Sequence, residues 1–100
     1  MVLYNVSNKV DREIVQEWLD YMRNKHIPDV MATGHFTGYR ICRLLDQPEE
    51  DDPTYVIQYE CATLHKLNHY QLHDAPALRE DLNSKFKERF VAFRTVMEVI

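Results

Sequence analysis

The sequence predicts an α+β domain in which one antiparallel sheet carries helices on one face. Three observations carry that expectation. Segments rich in β-branched and aromatic residues occur four times, at Val2–Val6, Tyr39–Leu45, Tyr55–Cys61 and Phe90–Ile100. Apolar residues at spacings of three and four fill the intervals after the first and third segments. The interval between the second and third is short, polar and proline-bounded, so those two strands are expected to join as a hairpin. The order is β-α-β-β-α-β, which one four-stranded antiparallel sheet satisfies: the ferredoxin-like arrangement, here with the second helical region split. With 100 residues, 45% of them hydrophobic, and only two glycines and four prolines, the chain reads as one folded domain. That composition excludes the disordered and low-complexity classes.

The elements follow in order. Val2–Val6 (V-L-Y-N-V) is the first strand. Asp11 is a candidate helix N-cap, with Glu13 in the positive first turn. Ile14, Val15, Trp18, Leu19 and Met22 then form one apolar stripe. Pro28 disfavours a helical Ile27, so the first helix is expected to stop near Lys25 or His26. One further turn is expected before Gly34, a candidate left-handed cap. Tyr39–Leu45 is the second strand. The stretch from Asp46 to Pro53 holds five of the sixteen acids and reads as a solvated loop. Tyr55–Cys61 is the third strand. Thr63 caps a helix running to about Asp74, Pro76 marks a break or fresh start, and Leu78, Leu82 and Phe86 continue at helical spacing. Phe90–Ile100 is the last strand.

Period-two alternation bears on assembly. In the third strand it sets Tyr55, Ile57, Tyr59 and Cys61 against Val56, Gln58 and Glu60. In the last it sets Val91, Phe93, Thr95, Met97 and Val99 against Phe90, Ala92, Arg94, Val96 and Glu98. One set is a core face. The second face, expected to keep Val56, Phe90, Ala92 and Val96, is mixed where a solvated face would be polar. A homodimer through the sheet is therefore expected, and a chain this short, with its thin core, gains from one.

Residues 26–36 (H-I-P-D-V-M-A-T-G-H-F) and the ending F-V-A-F-R-T-V-M-E-V resemble an uncharacterised bacterial family, domain-of-unknown-function family 4286. Y-R-I-C-R-L-L and Y-V-I-Q-Y fit the same pattern in the same order, so the resemblance covers nearly the whole chain. It implies a dimeric α+β barrel, in which the sheets of two ferredoxin-like subunits pack together. It implies no activity, because that superfamily mixes cofactor-free monooxygenases, isomerases, haem-dependent enzymes and proteins without known catalysis. The histidines at 65, 69 and 73 are not part of the family pattern.

His26 is the most informative single residue. It continues the stripe of Trp18 and Met22, which carries an imidazole to the edge of the core, where it could act as a base or a polar anchor. A structural histidine bonded to a nearby carbonyl is the plainer reading. Arg40, Arg43 and Arg94 lie in strands, and a guanidinium on a sheet face suits a carboxylate or phosphate. An ion pair of Arg94 with Glu60 or Glu98 is the plainer alternative. Tyr55 and Tyr59, with Asn5 and Gln58, could add polar groups. The expected ligand-binding set is His26, Arg94, Arg40, Tyr55 and Tyr59.

His65, His69 and His73 share one helical face. With Leu64, Leu67 and Gln71 or Leu72 as the inward stripe, that face is expected to be solvated, and no metal or cofactor is assigned. No phosphate-cradling glycine loop, nucleophile elbow or calcium loop is present. The formal charge of −4 argues against nucleic acid and anionic membranes, and no apolar run reaches membrane-spanning length. Cys42 and Cys61 read as reduced core residues. Residues 1–10 carry no signal-like pattern, so a cytoplasmic location is expected. The leading expectation is a homodimeric binder of a small anionic or amphipathic molecule. The alternatives are a cofactor-free isomerase or monooxygenase using His26, and a protein-interaction module.

Overall fold

β1 (Val2–Val10) is a central strand, hydrogen-bonded on both sides along its length. In the computed structural model, which describes residues 1–100, it lies between β3 (Thr54–Cys61) and β4 (Phe90–Glu98), and β2 (Gly38–Arg43) completes the order β2-β3-β1-β4. All pairings are antiparallel. The fold is the expected α+β, ferredoxin-like one.

β1 outruns the expected Val2–Val6 because both neighbours continue to pair with it. Asn8 and Lys9 have weak β-propensity, yet Asn8 is buried and its side-chain amide donates to the carbonyls of Val6 (3.0 Å) and Tyr55 (3.3 Å). β2 ends before Leu44 and Leu45, whose side chains are exposed.

The first helical region departs from expectation at its end. After a short 3-10 turn, capped by the Asp11 carboxylate accepting from the Glu13 N–H, α1 spans Val15–Tyr21. The chain then widens into a π-helical segment, Met22–His26, and continues as α2 (Ile27–Ala32). The Ile27 N–H donates to the Met22 carbonyl, one residue further back than in an α-helix. This shift lets Pro28, which has no N–H, enter at the start of α2 without ending the helix. Burial of Ile27 and Val30, about 1.5–3 kcal/mol each, outweighs the local disfavour before proline. Gly34 closes the stretch at φ 80°, the expected left-handed cap.

Across the hairpin loop, Thr63 caps α3 (Leu64–His73) by accepting from the Lys66 N–H, and α4 (Ala75–Phe86) restarts with Pro76 in its first turn. Both helical regions cover one face of the sheet. Trp18, Met22, Ile27, Leu67, Leu82 and Phe86 meet Tyr4, Val10, Ile57 and Tyr59 in the core.

Register corrects the expected faces. Tyr55, Ile57, Tyr59 and Cys61 point to the helices as expected, opposite Asn8, Val6, Tyr4 and Val2. In β4, however, Arg94 stands opposite Val6 and Phe90 opposite Val10, so Phe90, Ala92, Arg94 and Val96 lie on the helix side. The open face instead carries Val91, Phe93, Met97 and Val99, all substantially exposed. Cys42 faces the same way and is exposed, contrary to the expected core position; Cys61 is buried.

The α4–β4 connection turns at Lys87, with φ 47° and ψ −128°, a conformation that Cβ disfavours and glycine tolerates. Lys87→Gly is expected to stabilise the fold by about 1 kcal/mol, net of the flexibility glycine adds to the unfolded chain. Urea denaturation reads this as a higher midpoint, and an unchanged or lower midpoint would contradict it.

Candidate functional site

Alternation in β1 and β3 sends Tyr4 and Tyr59 inward from adjacent strands, and Tyr70 meets them from α3. With Phe36 they form one aromatic cluster, with Phe36 4.8 Å from Tyr70, 5.0 Å from Tyr59 and 6.2 Å from Tyr4 between ring centroids. Burial raises the Tyr59 hydroxyl far above its ordinary ionisation range and pushes Tyr70 up to about 12, so both remain hydrogen-bond donors. Beside this cluster lies a cavity of about 30 Å³, bounded by Tyr4, Tyr59, Tyr70, Val6, Asn8, Ile57, Met22, His26, Leu82, Arg79 and Arg94. That volume holds a water or a small head group.

The cavity has two guanidinium groups and no carboxylate on its wall. Arg79 projects from α4 one turn before Leu82, donating to the Tyr4 hydroxyl (3.2 Å) and to the Gln71 side-chain oxygen. Arg94 reaches the cavity from β4 and makes no ion pair. Its expected partner Glu60 pairs with Arg40 at 3.5 Å. The π-helical segment ends on His26 and aims it into the same space. Burial, with Arg94 adding to it, holds the His26 imidazole at about 4, against the opposing pull of Asp29 and Asp81. It is neutral at pH 7.

The expected residues thus divide. His26, Arg94 and Tyr59 share the cavity. Arg40 stands opposite Gln58 on the open face, so it cannot join them. Tyr55 packs on Trp18, ring centroids 5.9 Å apart, away from the lining. Arg43 borders a wider cleft of about 350 Å³ beside the 46–53 loop. Arg12 crosses that cleft to bond the loop carbonyls of Glu50 and Asp51 at 2.8 Å, which marks the cleft as a loop-fastening feature. Sequence reasoning missed Tyr4, Tyr70 and Arg79. Alternation from Val2 and the three-residue offset from Leu82 were the available signals.

The histidine row also divides. Leu67 and Tyr70 are the buried residues of α3, while Leu64 and Leu72 are exposed, which corrects the expected inward stripe. His65 is solvated. His69 lies between exposed His73, 4.4 Å away between ring centroids, and His35 from the turn after α2, at 5.0 Å. His35 Nε2 lies 3.0 Å from the Asp74 carboxylate, at the α3–α4 junction.

The sequence pattern of a domain of unknown function, DUF4286, matches residues 1–100. The chain belongs to that family. No curated protein matches this DUF4286 chain in sequence. Its fold is similar to that of an ethyl tert-butyl ether d (EthD) family protein from Bacillus halodurans, at 14% identity, full coverage of both chains and a TM-score of 0.74. An antibiotic biosynthesis monooxygenase is similar at 13% identity, with 100% and 99% of the two chains covered and a TM-score of 0.68. A cofactor-independent oxygenase from Streptomyces nogalater gives 9% identity, 98% and 92% coverage and a TM-score of 0.70. These likenesses show that the chain shares the fold of those proteins, and no more. No helix is long and apolar enough to cross a membrane.

A titration follows from His26. Its folded value of about 4 lies below the ordinary 6.5, so its contribution is fully present above pH 6.5. Stability is lost as pH falls from there towards 4, because the unfolded chain takes up the proton first. Between pH 7 and 5 the loss from this residue is roughly 2 kcal/mol. Urea unfolding at the two pH values should show His26→Gln with a correspondingly smaller drop than the parent chain. Equal drops would mean that the imidazole is not shielded.

Proposed function

We propose that this protein is a homodimeric binder of small amphipathic carboxylates. The observation that carries the reading is the convergence of Arg79 and Arg94 on one tyrosine-walled cavity that contains no acidic partner. Arg79 is half-buried and Arg94 is exposed at the rim, and neither has a counter-charge on the cavity wall; such guanidinium groups favour an anion, and the planar fork suits a carboxylate. The cavity takes the head group, with Arg79 and the Tyr4 hydroxyl behind it and neutral His26 beside it. The apolar remainder lies outward, past exposed Arg94. Two free cysteines, Cys42 exposed and Cys61 buried, suit a reducing compartment such as the cytoplasm.

The open sheet face supports the dimer. Val91, Phe93, Met97 and Val99 expose apolar surface on one edge strand, and Leu3 and Val56 extend it inward. At the centre, Asn5 is 8% exposed and its side-chain oxygen has no hydrogen-bond partner, while its amide nitrogen donates to Thr95 at 3.4 Å. A second copy packed sheet to sheet covers the apolar strip and can satisfy that oxygen.

Catalysis by a cofactor-independent oxygenase route is the second reading, favoured by the neutral imidazole among tyrosines. A conjugate acid near 4 makes His26 a weak base at pH 7, about three units from the optimum, so binding is the stronger reading.

Two measurements test the proposal. Titration calorimetry with a series of aliphatic and aromatic monocarboxylates should detect binding that the matching amides lack. Arg79→Met and Arg94→Met should each weaken it by about tenfold or more, as loss of a charge-assisted bond implies. Equal binding of acids and amides would overturn the anion site. Sedimentation should give a dimer for the parent chain and a monomer for Phe93→Glu, whose side chain touches no core. A parent monomer at micromolar concentration would overturn the dimer.

A further inference from the structure

We propose that His35, His69 and Asp74 form a binding site for a divalent transition-metal ion, with zinc the best fit. The three ligand atoms already lie within 4.8 Å of one another. Tetrahedral zinc, with bonds of about 2.0–2.1 Å, needs its ligand atoms roughly 3.3 Å apart. His35 Nε2 and Asp74 meet that spacing at 3.0 Å, and exposed His69 closes the remainder by side-chain rotation.

The three ligands come from three places: the turn after α2, the outer face of α3, and the α3–α4 junction. Tertiary structure, and not helical spacing alone, assembles them. Their backbones are held from beneath. The Cys61 thiol donates to the His35 carbonyl at 3.2 Å, and the Asp74 N–H donates to the Tyr70 carbonyl at 2.9 Å. The buried Tyr70 ring packs on His35, 6.3 Å between centroids, and Phe36 packs on Tyr70 behind it, while exposed His69 leaves the outer side open to water. Two imidazoles and one carboxylate suit zinc and its first-row neighbours, whereas calcium and magnesium want oxygen donors. Water completes the shell. On binding, Nε2 of His35 gives its lone pair to the metal, and any proton it shares with Asp74 passes to Nδ1 or to solvent.

The site shares none of its three ligands with the lining of the carboxylate cavity, although Tyr70 borders both. It neither requires nor supports the proposed binding function.

The test uses the full chain, produced without an affinity tag and stripped of metal with a chelator. Zinc titration by calorimetry, with cobalt(II) absorption as a report of tetrahedral geometry, should give one ion per chain. His35→Gln and His69→Gln should each weaken zinc binding by about tenfold or more, and Asp74→Asn should do likewise, while His65→Gln leaves it unchanged. His69 is exposed, so its variant retains the fold. Two results would overturn the proposal. One is no stoichiometric zinc binding by the parent chain. The other is binding lost in His73→Gln but kept in His35→Gln, which would assign the ion to an adventitious pair on the helix surface.

Discussion

The double pairing of β1 is the constraint on which the rest of the structure depends. Val6 stands opposite Ile57 on one side and Arg94 on the other, and this fixes which side of β4 meets the helices. A slip of one residue would turn Arg94 outward and bring Phe93 inward, exchanging a guanidinium for a benzyl group at the cavity wall. It would also bury the apolar strip that now lies open. The cavity and the exposed face are thus two consequences of one register.

The aromatic cluster gives that register its rigidity. Tyr4, Phe36, Tyr59 and Tyr70 come from a strand, a loop, a second strand and a helix, and each touches at least two of the others. Aromatic contacts contribute about 0.5–1.5 kcal/mol each beyond their buried area. The same rings serve two neighbourhoods. Tyr4, Tyr59 and Tyr70 wall the cavity, while Tyr70, with Phe36 packed on it, also meets His35. A polar group placed against such a floor keeps its position, which is the requirement for either kind of site.

The π-helical segment couples sequence to site in a less direct way. An α-helix running unbroken into Pro28 would clash with the preceding turn, and a helix ending at His26 would leave Ile27 and Val30 without a place in the core. Widening the helix by one residue per turn resolves both. It also sets the azimuth at which His26 leaves the helix, so a backbone adjustment required by proline determines where the imidazole points. Such single π turns are frequent at functional sites.

The sequence by itself determined the element order, the hairpin loop, the Thr63 cap, the helix-facing set of β3 and the stripe that carries His26 inward. Each rests on local chemistry: a period, a capping hydroxyl, a proline-bounded acidic stretch. It could not decide the orientation of β4, because both of its faces carry apolar residues. Val91, Phe93, Met97 and Val99 compete with Phe90, Ala92 and Val96, and only pairing with β1 separates them. The same blindness put Cys42 in the core and left Arg40 a candidate for the cavity. Nor could spacing reveal that His35 meets Asp74 across 39 residues, or that Arg79 meets Tyr4 across 75. Contacts at that separation are set by how layers pack, and packing is a property of the whole chain and not of any segment of it.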